Sequence, residues 1–139
     1  MIAHHELCFG CGQANLFGLQ LELDPRDDGS VAGRFFVKQD RQGPPGYAHG
    51  GILATALDEA MALLVHHAGI HALTTGLEIR LRAPVPVGTF VDVEARIERR
   101  EGRRVELVAT ATGGDDAKTV ATAGGTFVEI DGAPSSQPG

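Results

Sequence analysis

Two groups of residues in this chain could do chemistry. The first is Tyr47-Ala48-His49-Gly50-Gly51, followed after six residues by Asp58-Glu59. Two glycines opening a helix leave backbone N–H groups and the positive end of the helix dipole free of side chains. Such donors suit a carbonyl oxygen and the oxyanion it becomes under attack. The same glycines would also serve if they only permitted a tight loop-to-helix turn. Asp58 and Glu59 favour the chemical reading, because acids in mid-helix in an otherwise apolar element are costly unless paired or used. On a helical period Gly51, Thr55, Asp58 and Ala62 share one face, all small or polar, which leaves room for a ligand along it. Asp58 is therefore the candidate catalytic carboxylate and Thr55 a candidate substrate contact. Glu59 lies on the neighbouring stripe and is the lesser candidate, touching substrate or making a structural hydrogen bond or interface contact.

The second group is His4, His5, Cys8 and Cys11, which reads as half a zinc site. A second ligand pair at metal spacing is missing, since His66, His67 and His71 follow an apolar helix. The expectation is a compact N-terminal turn with packed thiols and no metal or other cofactor.

Spacing limits how the first group can work. His49 and Asp58 are nine residues apart, or roughly 13 Å along one helix at 1.5 Å per residue. One reacting carbonyl needs its donors and its carboxylate each about 3 Å away. A single chain cannot supply both: either one of the two is not catalytic, or the site is shared between two subunits whose helices run side by side in opposite directions.

The elements that must position these residues follow from the apolar pattern. Leu19, Leu21 and Leu23 alternate with polar residues, and after Asp27-Asp28-Gly29-Ser30 the segment 31–37 resumes the pattern, so the two form a hairpin. The Gly- and Pro-containing stretch 38–48 is a loop. From Gly50 to about His67, eighteen residues without proline are rich in Ala, Leu and Met, with apolar side chains nearly all round. Gly69 is a natural stop. Alternation then returns around Leu77–Ala83, Val91–Ile97, Val105–Ala111 and 118–130, read as a meander with a bulge at Gly124-Gly125. This order predicts an α+β domain, an antiparallel sheet of about six strands curved around one long central helix, which is the hot-dog architecture. The domain is expected over 1–131, and the tail 132–139, rich in Gly, Pro and Ser, is expected to be disordered.

Composition sets the class. The chain has 139 residues, 42% apolar and 22% charged, ordinary for a soluble globular domain. No run approaches the roughly 18 apolar residues of a membrane span, and the N-terminus does not read as a secretory signal. With only Cys8 and Cys11, a cytoplasmic, reducing location is expected. The net charge of −6 argues against nucleic acid as a partner.

At His49-Gly50-Gly51 and Asp58 the chain resembles the hot-dog thioesterases of the phenylacetyl-CoA and 4-hydroxybenzoyl-CoA thioesterase type. Cys8-Phe9-Gly10-Cys11-Gly12, Gln42-Gly43-Pro44-Pro45-Gly46 and Asp58-Glu59-Ala60-Met61 are similar to one branch of that superfamily. The resemblance implies hydrolysis of a small or medium acyl-CoA by a homodimer or a dimer of dimers (a homotetramer). Asp58 would attack or activate water, a Gly50 or Gly51 amide of the facing subunit would hold the thioester oxygen, and His49 would help orient it. It also implies a substrate contact at Thr75. Many relatives carry Asn or Gln six residues before the His, where this chain has Gly43; Gln42 is adjacent and is the expected substitute. Arg80 and Arg82 are candidates for coenzyme A phosphates, as arginine forks suit them. Arg99, Arg100, Arg103 and Arg104 read first as a solvated hairpin tip. Two competing functions are a hydratase or dehydratase on the same fold and a non-catalytic acyl-CoA binding module.

Overall fold

A computed structural model describes residues 2–130; the expected disordered tail, 132–139, lies outside them. β1 (Glu22–Pro25) and β2 (Val31–Phe36) form the first hairpin, closed by Gly29 at φ 87°. A 3-10 turn at Gln39–Arg41 leads to α1 (Gly50–His67), and then come β3 (Ala72–Leu81), β4 (Phe90–Glu101), β5 (Arg104–Gly113) and β6 (Thr119–Glu129). All pairings are antiparallel, in one six-stranded sheet of order β1-β2-β4-β5-β6-β3. Alternation makes strands but does not choose their neighbours. The expected meander holds only for β4-β5-β6, while β3 crosses to the far edge and β4 pairs with β2.

One sheet face is apolar and packs on the helix. Val91, Val93, Ala95, Val105, Leu107, Ala109, Ala111, Ala121 and Phe127 meet Leu53, Ala56, Leu57, Ala60, Met61 and Leu64, all buried. Gly124 and Gly125 are in regular register with β3 and β5, so the expected bulge there is absent. Gly125 serves close approach instead, since a β-carbon on it would lie 2.9 Å from Met61 Sδ. Register shifts occur at Thr74/Gly76, Ile97/Arg99 and Ala111/Thr112.

The helix is not buried all round. Gly51, Ile52, Ala54, Thr55, Asp58, Glu59 and Ala62 are half-buried or exposed, because the sheet covers only one side. Beside that uncovered flank runs β3, which among the described residues pairs only with β6. Its apolar alternation was expected to face a core, yet Leu77 and Leu81 are 43% and 57% exposed. No helix among the described residues is long and apolar enough to cross a membrane.

Candidate active site

The turn that opens α1 is held from three directions. The His49 amide donates to the Arg41 carbonyl (2.8 Å), and the Ala48 amide to Val85 (2.8 Å). Arg41 is buried, and its guanidinium donates to the carbonyls of Phe17 (3.2 Å) and Gly18. Gly43 lets this loop close, since a β-carbon there would lie 3.0 Å from His49 Cα. His49 is the N-cap at φ −66°, ψ 136°, and its Nδ1 accepts the Gly51 amide at 2.8 Å. The Ile52 amide bonds the His49 carbonyl (2.9 Å). Gly50, the first helical residue, is left as the first-turn donor with no acceptor among the described residues.

Asp58 lies two turns along α1, half-buried, with Oδ1 enclosed and without a partner among the described residues. Burial, and then the charge of Glu59, push its carboxyl above the usual aspartate value, while the Thr74 hydroxyl and His4 pull it back. Thr74 reaches it because it pairs with Phe127, whose side chain is buried on the helix side of the sheet. Leu77, Ile79 and Leu81 follow on that side, opposite Gly125, Ala123 and Ala121. Leu81 sits over the helix start, its Cδ1 2.7 Å from where a Gly50 β-carbon would be. Asp58, Thr74, Gly50, Leu77 and Leu81 thus border the uncovered strip between α1 and β3.

The other expected contacts distribute differently. Thr75 is displaced by the irregularity after Thr74, and its hydroxyl donates to the Thr126 carbonyl at 3.2 Å. The hydroxyl beside Asp58 is that of its neighbour, Thr74, and no feature of Thr74-Thr75-Gly76 distinguishes the two in the sequence. Gln42 is committed to its own loop, donating to the Gln39 carbonyl (2.8 Å) and accepting from Gly46 (2.7 Å). The Thr55 hydroxyl bonds back to the Gly51 carbonyl at 2.8 Å. Arg80 alternates onto the opposite sheet face, across from Thr122, and pairs with Glu78 at 3.1 Å. Arg82 is exposed beyond the end of β3. Arg99, Arg100 and Arg104 pair with Glu106 or Glu129 on the exposed hairpin. The clefts of about 570 and 460 Å³ also lie on the face away from the helix, among Arg34, Asp92, Thr110 and Thr112, and around Glu78, Glu106 and Thr126.

Glu59 is directed toward the N-terminal segment, against His4 and Cys8. Its Oε1 lies 2.8 Å from His4 Nδ1 and accepts from Cys8 Sγ at 3.2 Å. Burial alone would raise Glu59, but the His4 bond and charge hold it below the usual glutamate value. The Cys11 sulfur, and then Glu59, push His4 up to about 11. Burial pushes the Cys11 thiol up.

Residues 45–120 of the chain match the thioesterase superfamily. Acyl-coenzyme A thioesterase THEM5 of Homo sapiens is 30% identical over 89 residues, 64% of this chain and 36% of that one. The chain therefore spans little more than a third of the length of this curated relative. Among solved structures, a thioesterase superfamily protein is 25% identical with a TM-score of 0.84, over 89% of this chain and 61% of that chain. A phenylacetic acid degradation-related protein from Ralstonia eutropha is 28% identical with a TM-score of 0.71, over 79% of this chain and 85% of its own. The hot-dog fold and the superfamily expected from the His49-Gly50-Gly51 and Asp58 pattern are both borne out.

Proposed function

We propose an activity from one premise: the chain belongs to the thioesterase superfamily, which its residues 45–120 match. The reaction is hydrolysis of a small or medium acyl-CoA to the free acid and coenzyme A. The observation that carries it is Asp58, a half-buried carboxylate whose enclosed Oδ1 has no partner among the described residues, two turns along a helix that opens on Gly50-Gly51. The acyl-coenzyme A thioesterase named above supports the class of substrate.

The site is shared between two copies. Two features support this: the roughly 13 Å between residues 49 and 58 along α1, and the state of β3. A ten-residue edge strand with unpaired N–H and C=O groups, flanked by exposed Leu73, Leu77 and Leu81, is a template for another strand. A second copy pairing there, antiparallel, covers the strip and brings its own helix alongside. The Gly50 amide of one copy then faces Asp58 of the other.

In the mechanism, ionised Asp58 attacks the thioester carbon or takes a proton from the attacking water. The Gly50 N–H holds the carbonyl oxygen as negative charge develops on it. His49 contributes by occupying the Gly51 amide, which shapes the turn and leaves Gly50 as the donor. Thr74 favours the ionised form of Asp58. The thiolate of coenzyme A leaves as the carbonyl re-forms and takes up a proton; on the covalent route water then cleaves the acyl–Asp58 anhydride, releasing the free acid and regenerating the carboxylate. A reducing, cytoplasmic setting suits Cys8 and Cys11.

A panel of acyl-CoAs followed by thiol release tests this reading. Wild type should release thiol and Asp58→Asn should be slower by roughly 10²–10⁴-fold. No release above background, or an unimpaired Asp58→Asn, would overturn it.

A further inference from the structure

The N-terminal His4, Cys8 and Cys11 lack one ligand for a closed set, and the helix supplies it as Glu59. His4, Cys8, Cys11 and Glu59 each aim one donor atom at a common point, and the four atoms lie within 4.8 Å of one another. His4 Nδ1 is 2.8 Å from Glu59 Oε1 and 3.7 Å from each sulfur, and Cys8 Sγ is 3.2 Å from Glu59 Oε1. The edges of a tetrahedron built on ordinary zinc–sulfur, zinc–nitrogen and zinc–oxygen bonds are about 3.3–3.8 Å, so side-chain shifts of up to about 1 Å would complete it. We propose that these four side chains bind one zinc ion per chain, stapling the N-terminal segment to α1 at the residue beside Asp58.

Three further features fit a built site. Cys8 and Cys11 sit on a tight turn closed by the Gly12 amide on the Cys8 carbonyl (2.8 Å), the short two-residue spacing that thiolate pairs use on zinc. The His4 amide donates to Cys11 Sγ at 3.2 Å, an outer contact that steadies a thiolate. Gly10 lies flat over Glu59: a β-carbon there would fall 2.4 Å from Glu59 Cγ, so only glycine lets the carboxylate slide under the turn. The cluster is sheltered, with Cys11 buried and the His4 and Glu59 side chains 25% and 13% exposed. Two sulfurs, one imidazole and one carboxylate in a closed tetrahedral set favour zinc over magnesium or calcium, which want oxygen alone. All four positions are protein, so the site is structural rather than catalytic. Binding releases the thiol protons and the proton on His4, since ligands bind the metal unprotonated.

The test is metal content of the full chain purified without chelator, with cobalt(II) titration of the stripped protein. The expected result is one zinc per chain and thiolate-to-cobalt absorption bands that saturate at one equivalent. Glu59→Gln keeps the side-chain shape and should weaken metal affinity at least ~10–100-fold. Cys8→Ser should reduce the charge-transfer intensity, and His5→Ala, outside the cluster, should change nothing. Native mass spectrometry of the wild type reads stoichiometry independently of any variant's folding. Zinc-free wild type with no cobalt bands, or a Cys8–Cys11 disulfide in protein purified under reducing conditions, overturns the proposal. So does Glu59→Gln binding with wild-type affinity.

Discussion

Replacing Gly50 with proline would delete one amide proton and change little else. Gly50 is the first residue of α1, where proline is tolerated because its missing N–H has no helical acceptor. Proline also demands an extended predecessor, and His49 already sits at φ −66°, ψ 136°. The ring would press on Leu81 Cδ1, which lies 2.7 Å from the new β-carbon, but that atom ends a flexible side chain that is 57% exposed. The preset backbone returns about 0.4–1 kcal/mol through the unfolded chain, so the folded protein should remain near wild-type stability. If the Gly50 amide is the oxyanion donor, kcat should fall by about 10²–10³, or roughly 2.7–4 kcal/mol of transition-state stabilisation. KM should hardly move, since the bond matters most in the transition state. Gly50→Ala carries the same β-carbon against Leu81 yet keeps the N–H, and should stay within a few-fold of wild type. The assay is initial-rate thiol release at saturating acyl-CoA, with thermal melts of both variants. A folded Gly50→Pro of ordinary activity would refute the assignment, and an equally dead Gly50→Ala would trace the effect to Leu81.

Other expectations rest on the same geometry. Asp58 must be ionised to act and burial raises it, so the acid limb of kcat/KM should lie above the range of an ordinary aspartate; Thr74→Val removes a hydroxyl that favours the ionised form and should move that limb to higher pH. The raised value also means that the folded state binds more protons than the unfolded one, so stability is lost as pH rises through that window. Asp58→Asn escapes this loss and should melt higher at neutral pH while losing activity. Leu77→Glu places a carboxylate on the apolar β3 edge and should weaken self-association by about 3–5 kcal/mol, read by sedimentation, with activity falling in parallel. Gly125→Val forces a side chain onto Met61, with Sδ 2.9 Å from the β-carbon, and should cost about 1–3 kcal/mol in denaturant melts.

The helix was the most legible element: its start at Gly50, its end at His67 and its stop at Gly69 (φ 78°) all follow from composition and punctuation. The alternating strands were legible as strands because period two survives whatever the neighbours are. Their order was not, since the choice between β2 and β3 as the partner of β4 is made by the crossover and not by local pattern. For the same reason Leu77 and Leu81 read as core but lie at an edge. At the site, Asp58 and the glycine turn stood out through a rare acid and a doubled glycine in an apolar helix. Thr74 did not, because one irregularity after it reverses which of two adjacent threonines faces the acid. The His4–Cys8–Cys11–Glu59 cluster was half-visible; its fourth member lies 48 residues beyond Cys11 and meets it only once α1 is packed.

The central claim is a site made by two copies, and mixed dimers test it directly. Asp58→Asn and Gly50→Pro are each prepared alone, then unfolded, mixed in equal amounts and refolded together. Every site in either parent lacks the acid or the donor. In a mixed dimer one site carries both lesions and the other carries neither. Half the dimers are mixed and half their sites are intact, so activity should recover to about a quarter of wild type by symmetry counting. A mixture no more active than the average of its parents, with exchange of subunits verified by mass, would contradict the shared site.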